Sequence, residues 1–254
     1  MSMHIAWERR GDGFPLVLVH GLGYARWGWE PVVDLLGERY ETILFDNRGI
    51  GESDAPPGPY SAAALGEDTL RVLEEAGVER AHLLGTSLGG MVAQELALAA
   101  PERVEKLVLV CTTPGGTNAA PMPEQTVRLM AQASTLEPEV ALRRFVENAL
   151  APDPPESIVE RILAHRIQTG QPTEAWLAQA AAGASFDAWD RLPELRTATL
   201  VLHGTADNVV NVRNAELLAE RIPDARAELF PGCGHLLFWE QPEKFVEVVG
   251  EFLA

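Results

Sequence analysis

A serine with a glycine two residues away on each side is the first candidate for chemistry in this sequence. Residues 85–89 have the sequence Gly-Thr-Ser-Leu-Gly, after an apolar run and before a helical pattern. This context is typical of a sharp strand-to-helix turn that holds a nucleophilic serine, because side chains in place of the two glycines would collide there. We therefore predict that Ser87 is a nucleophile. The alternative is that Ser87 only caps the following helix, a position where serine is common.

A serine hydroxyl needs a base, which is usually an imidazole. Three histidines follow Ser87 in the chain: His165, His203 and His235. His235 lies in a glycine-rich loop after the last predicted strand, and such a loop can bring an imidazole to the ends of the strands. His165 falls in a helical pattern, where we expect it on the surface, and His203 ends a strand. We therefore predict that His235 is the base.

The acid that orients the imidazole is expected at the end of another strand. Asp207 closely follows the predicted strand of residues 199–203, whereas the loop of residues 111–118, after another strand, contains no Asp or Glu. Asp187 and Asp190 are weaker candidates because they adjoin a region without strands. We predict that Asp207 completes a catalytic triad. The alternative is that it is a plain turn residue.

Acyl transfer places negative charge on a carbonyl oxygen, which backbone N–H groups usually stabilise. We predict an oxyanion hole formed by Leu88, the residue after the nucleophile, and by Leu22, in the glycine-containing loop after an early strand. Trp27 and Trp29 follow that loop closely, and we predict that they line the substrate pocket. The alternative for both tryptophans is a place in the core.

Short apolar runs rich in Val, Leu and Ile alternate with helical patterns along most of the chain. The predicted strands are residues 16–20, 42–46, 81–86, 106–111, 199–203 and, less clearly, 225–231. The predicted helices around them are residues 31–39, 62–76, 88–99, 215–221 and 243–253. This alternation predicts an α/β fold with a mostly parallel central sheet and helices on both of its faces.

One region, residues 115–192, interrupts this alternation. It contains no convincing strand but three helical patterns, which several prolines separate. These patterns cover residues 124–133, 139–149 and 157–168. We predict that residues 115–192 form a helical insertion in a core made of residues 1–114 and 193–254.

Composition excludes several classes of function. The 254 residues include 20 basic and 37 acidic side chains, and the resulting charge of −17 opposes binding to nucleic acid or to an anionic membrane. Residues 1–13 contain no apolar run of signal-peptide length, and no run of about 18 apolar residues, the length of a membrane span, occurs in the chain. No group of His, Cys and carboxylates has ligand spacing, and no glycine-rich nucleotide loop follows a first strand. We therefore predict a cytoplasmic protein without metal or organic cofactor that acts on a small molecule.

Five ordered motifs make the chain resemble the α/β-hydrolase superfamily. They are His20–Gly23, Asp46–Ser53, Gly85–Gly90, Gly204–Asp207 and Gly234–His235. In that superfamily the nucleophile, the acid and the base follow one another in this order. Residues 89–94 and 240–243 further resemble segments of small bacterial carboxylesterases and of 3-oxoadipate enol-lactonase-like hydrolases. Ser87 distinguishes the chain from haloalkane dehalogenases and most epoxide hydrolases, which carry Asp at the nucleophile position.

The resemblance implies a serine hydrolase that cleaves small carboxylic esters or lactones through an acyl-enzyme intermediate. It also implies that the helical insertion is a cap over the active site. Two alternatives stay open: a carbon–carbon bond hydrolase or perhydrolase on the same scaffold, and a ligand-binding receptor with slow turnover. Small, uncharged or weakly polar esters or lactones are favoured over long-chain lipids, because the insertion is long enough to enclose the site and no long amphipathic helix with a basic face is present. Nothing in the sequence places an arginine of the insertion inside the pocket, so a general carboxylesterase is favoured over an enol-lactonase.

Overall fold

The computed structural model describes residues 3–254 and builds a seven-stranded central sheet from them. Its strands are β1 (Trp7–Arg10), β2 (Phe14–Val19), β3 (Tyr40–Phe45), β4 (Ala81–Thr86), β5 (Val104–Val110), β6 (Thr199–Gly204) and β7 (Ala225–Phe230). Their order across the sheet is β1-β3-β2-β4-β5-β6-β7. Strand β1 is antiparallel to β3, and all other neighbours are parallel.

The central strands are buried on both faces of the sheet, which explains their continuous apolar sequences. Every residue of β4 and of β6 is buried, as are the last four residues of β2. Parallel pairing places Val19 beside Gly85 and Thr86 beside Val110. The carboxyl ends of β2, β4 and β5 therefore meet at one edge of the sheet, where functional loops of parallel sheets usually lie.

Ten helices accompany the sheet within the described residues. They are α1 (Val33–Gly37), α2 (Ala62–Glu75), α3 (Leu88–Ala99), α4 (Glu124–Ala133), α5 (Pro138–Asn148), α6 (Glu156–Thr169), α7 (Thr173–Ala184), α8 (Arg213–Arg221), α9 (Leu237–Glu240) and α10 (Pro242–Leu253). Short 3₁₀ turns lie between some of them. Within residues 3–254, no helix combines the length and the apolar character needed to span a membrane.

The helices cover both faces of the sheet, and each face has its own hydrophobic core. One core contains Val17 of β2 together with apolar residues of α2, α3 and α8. The other contains Leu16 and Leu18 of β2 with apolar residues of α1 and α10. Consecutive strand residues point to opposite faces, so this division follows from the alternation along β2. The predicted α/β fold class, mostly parallel with helices on both faces, is confirmed.

The chain between β5 and β6, residues 111–198, contains helices α4 to α7 and no strand of the sheet. Gly115 and Asp187 form an isolated β-bridge near its two ends. Val146 of α5 and Ile162 of α6 belong to the same core as α1 and α10, so these two helices pack on the main body of the protein. The limits of a separate cap, residues 115–192, remain a prediction.

Three elements were not predicted from the sequence: β1, α7 and the four-residue helix α9. Strand β1 has only four residues, Trp-Glu-Arg-Arg, with no apolar periodicity, and it forms because Trp7 and Arg10 pair with Phe45 and Thr42 of β3. Helix α7 is rich in alanine and lacks a clear division into apolar and polar faces. Its buried residues include Ala175.

Candidate active site

Ser87 occupies the turn between β4, which ends at Thr86, and α3, which begins at Leu88. Its backbone has φ 56° and ψ −120°, a strained conformation for a residue with a side chain. The Ser87 side chain makes no capping hydrogen bond to α3. The structure therefore gives no support to the alternative that Ser87 serves only as a helix cap.

The two glycines of the motif are explained by close backbone contacts. A Cβ atom on Gly85 would lie 2.2 Å from the carbonyl oxygen of Gly89. A Cβ atom on Gly89 would lie 2.1 Å from the carbonyl oxygen of Val19, at the end of the neighbouring strand. Neither distance is sterically possible, so the turn at Ser87 requires glycine at both positions.

His235 and Asp207 form a buried pair at the same edge of the sheet. His235 Nδ1 lies 2.8 Å from Asp207 Oδ2. Asp207 Oδ1 accepts hydrogen bonds from the backbone N–H groups of Val209, at 2.7 Å, and Val210, at 2.9 Å. One carboxylate oxygen thus organises the loop while the other faces the imidazole, so Asp207 is a turn residue as well as a partner of His235.

The carboxyl group of Asp207 is ionised at neutral pH in spite of its burial. Burial alone would raise the pKa of Asp207, but the charge of His235 and the hydrogen bonds from His203 and His235 lower this pKa well below its usual range. An ionised carboxylate at this place stabilises an imidazolium and selects the His235 tautomer that carries its proton on Nδ1. The unprotonated Nε2 is then available as a proton acceptor.

A second histidine contacts the same carboxylate. His203 Nε2 lies 3.0 Å from Asp207 Oδ2 and 3.0 Å from the carbonyl oxygen of Val210. The His203 side chain is completely buried. Sequence analysis considered His203 only as a rival base. The sequence does give one indication that the two side chains meet. His203 lies near the end of β6, only four residues before Asp207.

The loop after β2 lies against Ser87. A Cβ atom on Gly21 would come within 2.9 Å of Ser87 Cβ, so the loop approaches the serine as closely as backbone allows. The N–H of Gly21 donates to His20 Nδ1 at 2.7 Å, which leaves the next N–H, that of Leu22, without this partner. Among residues 3–254, the N–H groups of Leu22 and Leu88 donate to no protein acceptor.

His20 is a structural residue of this loop. Its ring is buried and stacks on Tyr24, with 4.6 Å between the ring centres. Burial, together with the charges of His235 and Arg166, lowers the pKa of His20 to about 3. The imidazole is therefore neutral under ordinary conditions, and its Nδ1 is already occupied by the loop backbone.

Glu240 fixes the loop that carries His235. Its Oε2 accepts the N–H of Gly234 at 2.7 Å, and its Oε1 accepts the N–H of Ala151 at 2.6 Å, in the helical insertion. Burial raises the pKa of Glu240, while these two N–H donors lower it. Sequence analysis did not identify Glu240 as a site residue, because its partner Ala151 lies far away in the chain.

The two tryptophans predicted to line the pocket have different environments. Trp29 has no exposed surface and stacks on Phe238, so we interpret it as a core residue. Trp27 lines a cleft of about 650 Å³ that none of the three predicted triad residues borders. The ring of His165 stacks on Trp27 at 4.8 Å, and His165 Nε2 lies 2.8 Å from Glu30 Oε2. His165 thus connects α6 to the core and is only partly exposed.

One group of potential metal ligands lies beside the site. Ligand atoms of Cys111, His203 and Asp207 lie within 4.8 Å of one another, and all three residues are buried. Sequence analysis expected no group with ligand spacing, because Cys111 and His203 are far apart in the chain. Burial raises the pKa of the Cys111 thiol well above its ordinary value. A protonated thiol is a poor ligand, so the donor set does not fit a resident metal ion.

A comparison with known families agrees with this geometry. A family model described as alpha/beta hydrolase fold matches residues 15–242. The chain belongs to this family. Within this fold, Ser87 lies at the turn between β4 and α3, and the loop after β2 contacts it.

Two curated relatives of this α/β-hydrolase have different hydrolytic activities in their names. The 2-hydroxy-6-oxo-6-phenylhexa-2,4-dienoate hydrolase of Comamonas testosteroni is 31% identical over 98% of this chain and 91% of its own length. The pimeloyl-[acyl-carrier protein] methyl ester esterase of Aeromonas hydrophila is 30% identical over 99% of this chain and 100% of its own length.

Solved structures of hydrolases are similar over nearly the whole chain. A hydrolase from Pseudomonas aeruginosa is 33% identical, with a TM-score of 0.87, and the match covers 99% of this chain and 95% of that one. The enol-lactonase from Burkholderia xenovorans is 26% identical, with a TM-score of 0.85 and coverage of 99% and 96%. Both matches include the helical insertion, because less than a tenth of each chain lies outside the matched region.

Proposed function

We propose that the protein is a serine hydrolase that cleaves small carboxylic esters or lactones through Ser87, His235 and Asp207. One observation carries the proposal: the buried His235–Asp207 pair, 2.8 Å between Nδ1 and Oδ2, lies at the same edge of the sheet as the strained Ser87 turn. Nucleophile, base and orienting acid are the three roles that acyl transfer to serine requires.

The first half of the proposed reaction forms an acyl-enzyme. Ser87 Oγ attacks the carbonyl carbon while its proton passes to His235 Nε2. The N–H groups of Leu88 and Leu22 donate to the oxyanion of the tetrahedral intermediate. The intermediate then expels the alcohol oxygen, which takes the proton from His235. For a lactone this alcohol remains attached to the acyl group.

The second half returns the enzyme to its starting state. Water gives a proton to His235 Nε2 and attacks the acyl carbon, and the same two N–H groups stabilise the new oxyanion. Ser87 Oγ leaves and recovers its proton from the imidazolium. Asp207 stays ionised throughout, because its neighbours hold its pKa well below the usual range. Its charge stabilises the imidazolium in both steps.

The names of relatives support hydrolysis and leave a second candidate reaction. The Aeromonas relative is named as an ester hydrolase, whereas the Comamonas relative is named as a hydrolase of a dienoate. A carbon–carbon bond hydrolase is therefore the alternative to an esterase. A perhydrolase, or a receptor that binds its ligand with slow turnover, would also use this scaffold. A panel of p-nitrophenyl esters, lactones and vinylogous diketones, assayed with purified protein, distinguishes these activities.

The central test is Ser87→Ala. We expect hydrolysis of p-nitrophenyl acetate to fall by about 10⁶ in turnover, since loss of the nucleophile has this effect in comparable triads. Ser157→Ala, an exposed serine near the start of α6, is the matched control and should retain full activity. A folded Ser87→Ala protein with near-normal turnover would contradict the proposal.

A further inference from the structure

The segment after β6 carries Asp207 and is bound to the start of the helical insertion. This acid segment comprises residues 205–214. The N–H of Ala120 donates to Asn214 Oδ1 at 2.8 Å, and Asn214 Nδ2 donates back to the carbonyl oxygen of Ala120 at 3.2 Å. Asn214 is buried, so this reciprocal pair anchors the far end of the acid segment.

A second contact lies one residue after the proposed acid. The hydroxyl of Thr126, in α4, donates to the carbonyl oxygen of Asn208. Asn148 Nδ2, at the end of α5, lies 2.7 Å from Thr126 Oγ1. Because a carbonyl oxygen can only accept, the hydroxyl gives its one proton to Asn208 and accepts from Asn148. One directional chain of hydrogen bonds therefore runs from α5 through α4 to the acid segment.

Packing alone does not explain an asparagine at position 148. The Asn148 side chain is buried, and its Oδ1 has no hydrogen-bond partner among the described residues. A buried amide oxygen without a partner destabilises the folded state, whereas an apolar side chain at the same place would not. We therefore interpret the Nδ2 hydrogen bond to Thr126 as the contribution of Asn148.

The end of α5 also contacts the segment that carries His235. The N–H of Leu236, the next residue, donates to the carbonyl oxygen of Ala149 at 3.1 Å. Two residues further along the insertion, the N–H of Ala151 donates to Glu240, which fixes the same segment. The insertion is thus bound to the backbone directly after the proposed base.

Asn148 and Ala149 are neighbours in the chain, and through them one end of α5 contacts both sides of the proposed acid–base pair. The distance of 2.8 Å between His235 Nδ1 and Asp207 Oδ2 depends on the relative position of two segments that follow different strands. Catalytic side chains need to be held within about 0.5 Å of their working geometry. A common attachment at α5 supplies such a constraint.

We propose that Asn148 and Thr126 are positioning residues that hold Asp207 in its place relative to His235. The helical insertion then helps to build the acid–base pair, whatever its role as a cap. Thr126 acts through the backbone of Asn208, and Asn148 acts through Thr126. This inference rests on the proposed function, because it concerns two of the three residues of the proposed triad.

The first test is Thr126→Val, which removes the hydroxyl and keeps the branched shape of the side chain. We expect kcat for p-nitrophenyl acetate to fall by about tenfold, as for the loss of one buried hydrogen bond. KM should stay nearly unchanged, because the hydroxyl aligns the acid and does not bind substrate. Thr126→Ser retains the hydroxyl and should recover most of the loss. A folded Thr126→Val protein with wild-type kcat would overturn the inference.

A second variant tests whether the two side chains act in series. Asn148→Leu removes the donor to Thr126 and should lower kcat by a similar factor. When Thr126→Val and Asn148→Leu are combined, we expect a loss little greater than that of either variant alone, because both act through the same contact. Losses that multiply in the double variant would contradict the proposed chain of hydrogen bonds.

Thr69→Val is the matched control for a general loss of stability. Thr69 is a buried threonine of α2, and its hydroxyl donates to the carbonyl oxygen of Leu65 at 3.1 Å. The control loses the same kind of hydrogen bond, so its melting temperature should fall while its kcat stays at the wild-type value. An equal fall of kcat in Thr69→Val and Thr126→Val would show that neither acts by positioning.

Amide hydrogen exchange tests the same coupling without an activity assay. The N–H groups of Val209 and Val210 donate to the proposed acid and report on the acid segment. We expect Thr126→Val and Asn148→Leu to speed their exchange by about tenfold, and Thr69→Val to leave it unchanged. Wild-type exchange rates in the first two variants would refute the inference. Absence of ester cleavage by the wild-type protein would refute the proposed function instead, and the exchange result would still stand.

Discussion

Asp207 lies between His235 and His203, and the two contacts have different roles. His235 faces Asp207 through Nδ1, the orientation that its proposed role as base requires. His203 Nε2 is shared between Asp207 Oδ2 and the carbonyl oxygen of Val210, both at 3.0 Å. Because the carbonyl can only accept, His203 Nε2 must carry the proton and donate it to Asp207. His203 is therefore a positioning residue for the acid.

We expect His203→Leu to lower kcat by about tenfold or more, because Asp207 loses a hydrogen bond in a buried place. His203→Gln, which can donate from its amide, should restore a large part of the loss. Steady-state kinetics with p-nitrophenyl acetate and thermal melting of both variants give the result. Unchanged kcat in a folded His203→Leu protein would show that His203 acts only in packing.

We also expect activity to survive removal of divalent metals. The grouping of Cys111, His203 and Asp207 resembles a ligand set in geometry, but the raised pKa of Cys111 keeps its thiol protonated. Dialysis against EDTA, followed by the ester assay, measures this directly. Loss of activity that zinc or manganese restores would contradict the expectation.

At the scale of elements, the loop with His235 is held by a helix that contributes no proposed catalytic group. Glu240, at the end of α9, joins this loop to Ala151 of the helical insertion. The loop of His235 and the insertion are in close backbone contact, because a Cβ atom on Gly234 would lie 2.4 Å from the carbonyl carbon of Leu150. The insertion therefore packs directly on the segment that carries His235, the proposed base.

We expect Glu240→Gln to reduce kcat by about tenfold, since an amide can accept through one oxygen only and one buried N–H loses its partner. The melting temperature should fall as well. Glu243→Gln, an exposed glutamate on α10, makes the same chemical change and should alter neither quantity. Equal kinetics for both variants would mean that Glu240 does not position His235.

The contrast between predicted and unpredicted features has a physical reason. The strand pattern of residues 81–86 and the glycines around Ser87 are local, because burial and steric limits act within a few residues. Strand β1 was not predicted, because its formation depends on pairing with β3. The contacts of Glu240 likewise involve a residue distant in the chain, Ala151, and neither composition nor spacing indicates such a contact.

At the scale of the whole molecule, a buried histidine makes stability depend on pH. The pKa of His20 is about 3 in the folded protein, below the ordinary value of 6.5. The unfolded chain therefore binds a proton as pH falls below 6.5, while the folded protein binds it only near pH 3. Stabilisation is complete above pH 6.5 and is lost as pH falls towards 3.

We expect protonation of His20 in the unfolded chain to lower the free energy of unfolding by about 2 kcal/mol as the pH falls from 7.5 to 5. Urea denaturation at the two pH values measures the change, and the same experiment on His20→Gln should give a difference smaller by about this amount. The comparison uses the pH dependence only, so a general loss of stability in the variant does not affect it. Identical pH dependence in both proteins would contradict the expectation.

The bridge between Gly115 and Asp187 has a consequence for how such proteins diversify. The N–H of Ala188 donates to the carbonyl oxygen of Pro114 at 2.9 Å, so the helical insertion leaves and rejoins the core at adjacent points. A segment with adjacent ends can be lengthened, shortened or exchanged by recombination without altering the sheet. We therefore propose that exchange of residues 116–186 between relatives changes the substrate of the reaction while the sheet is retained.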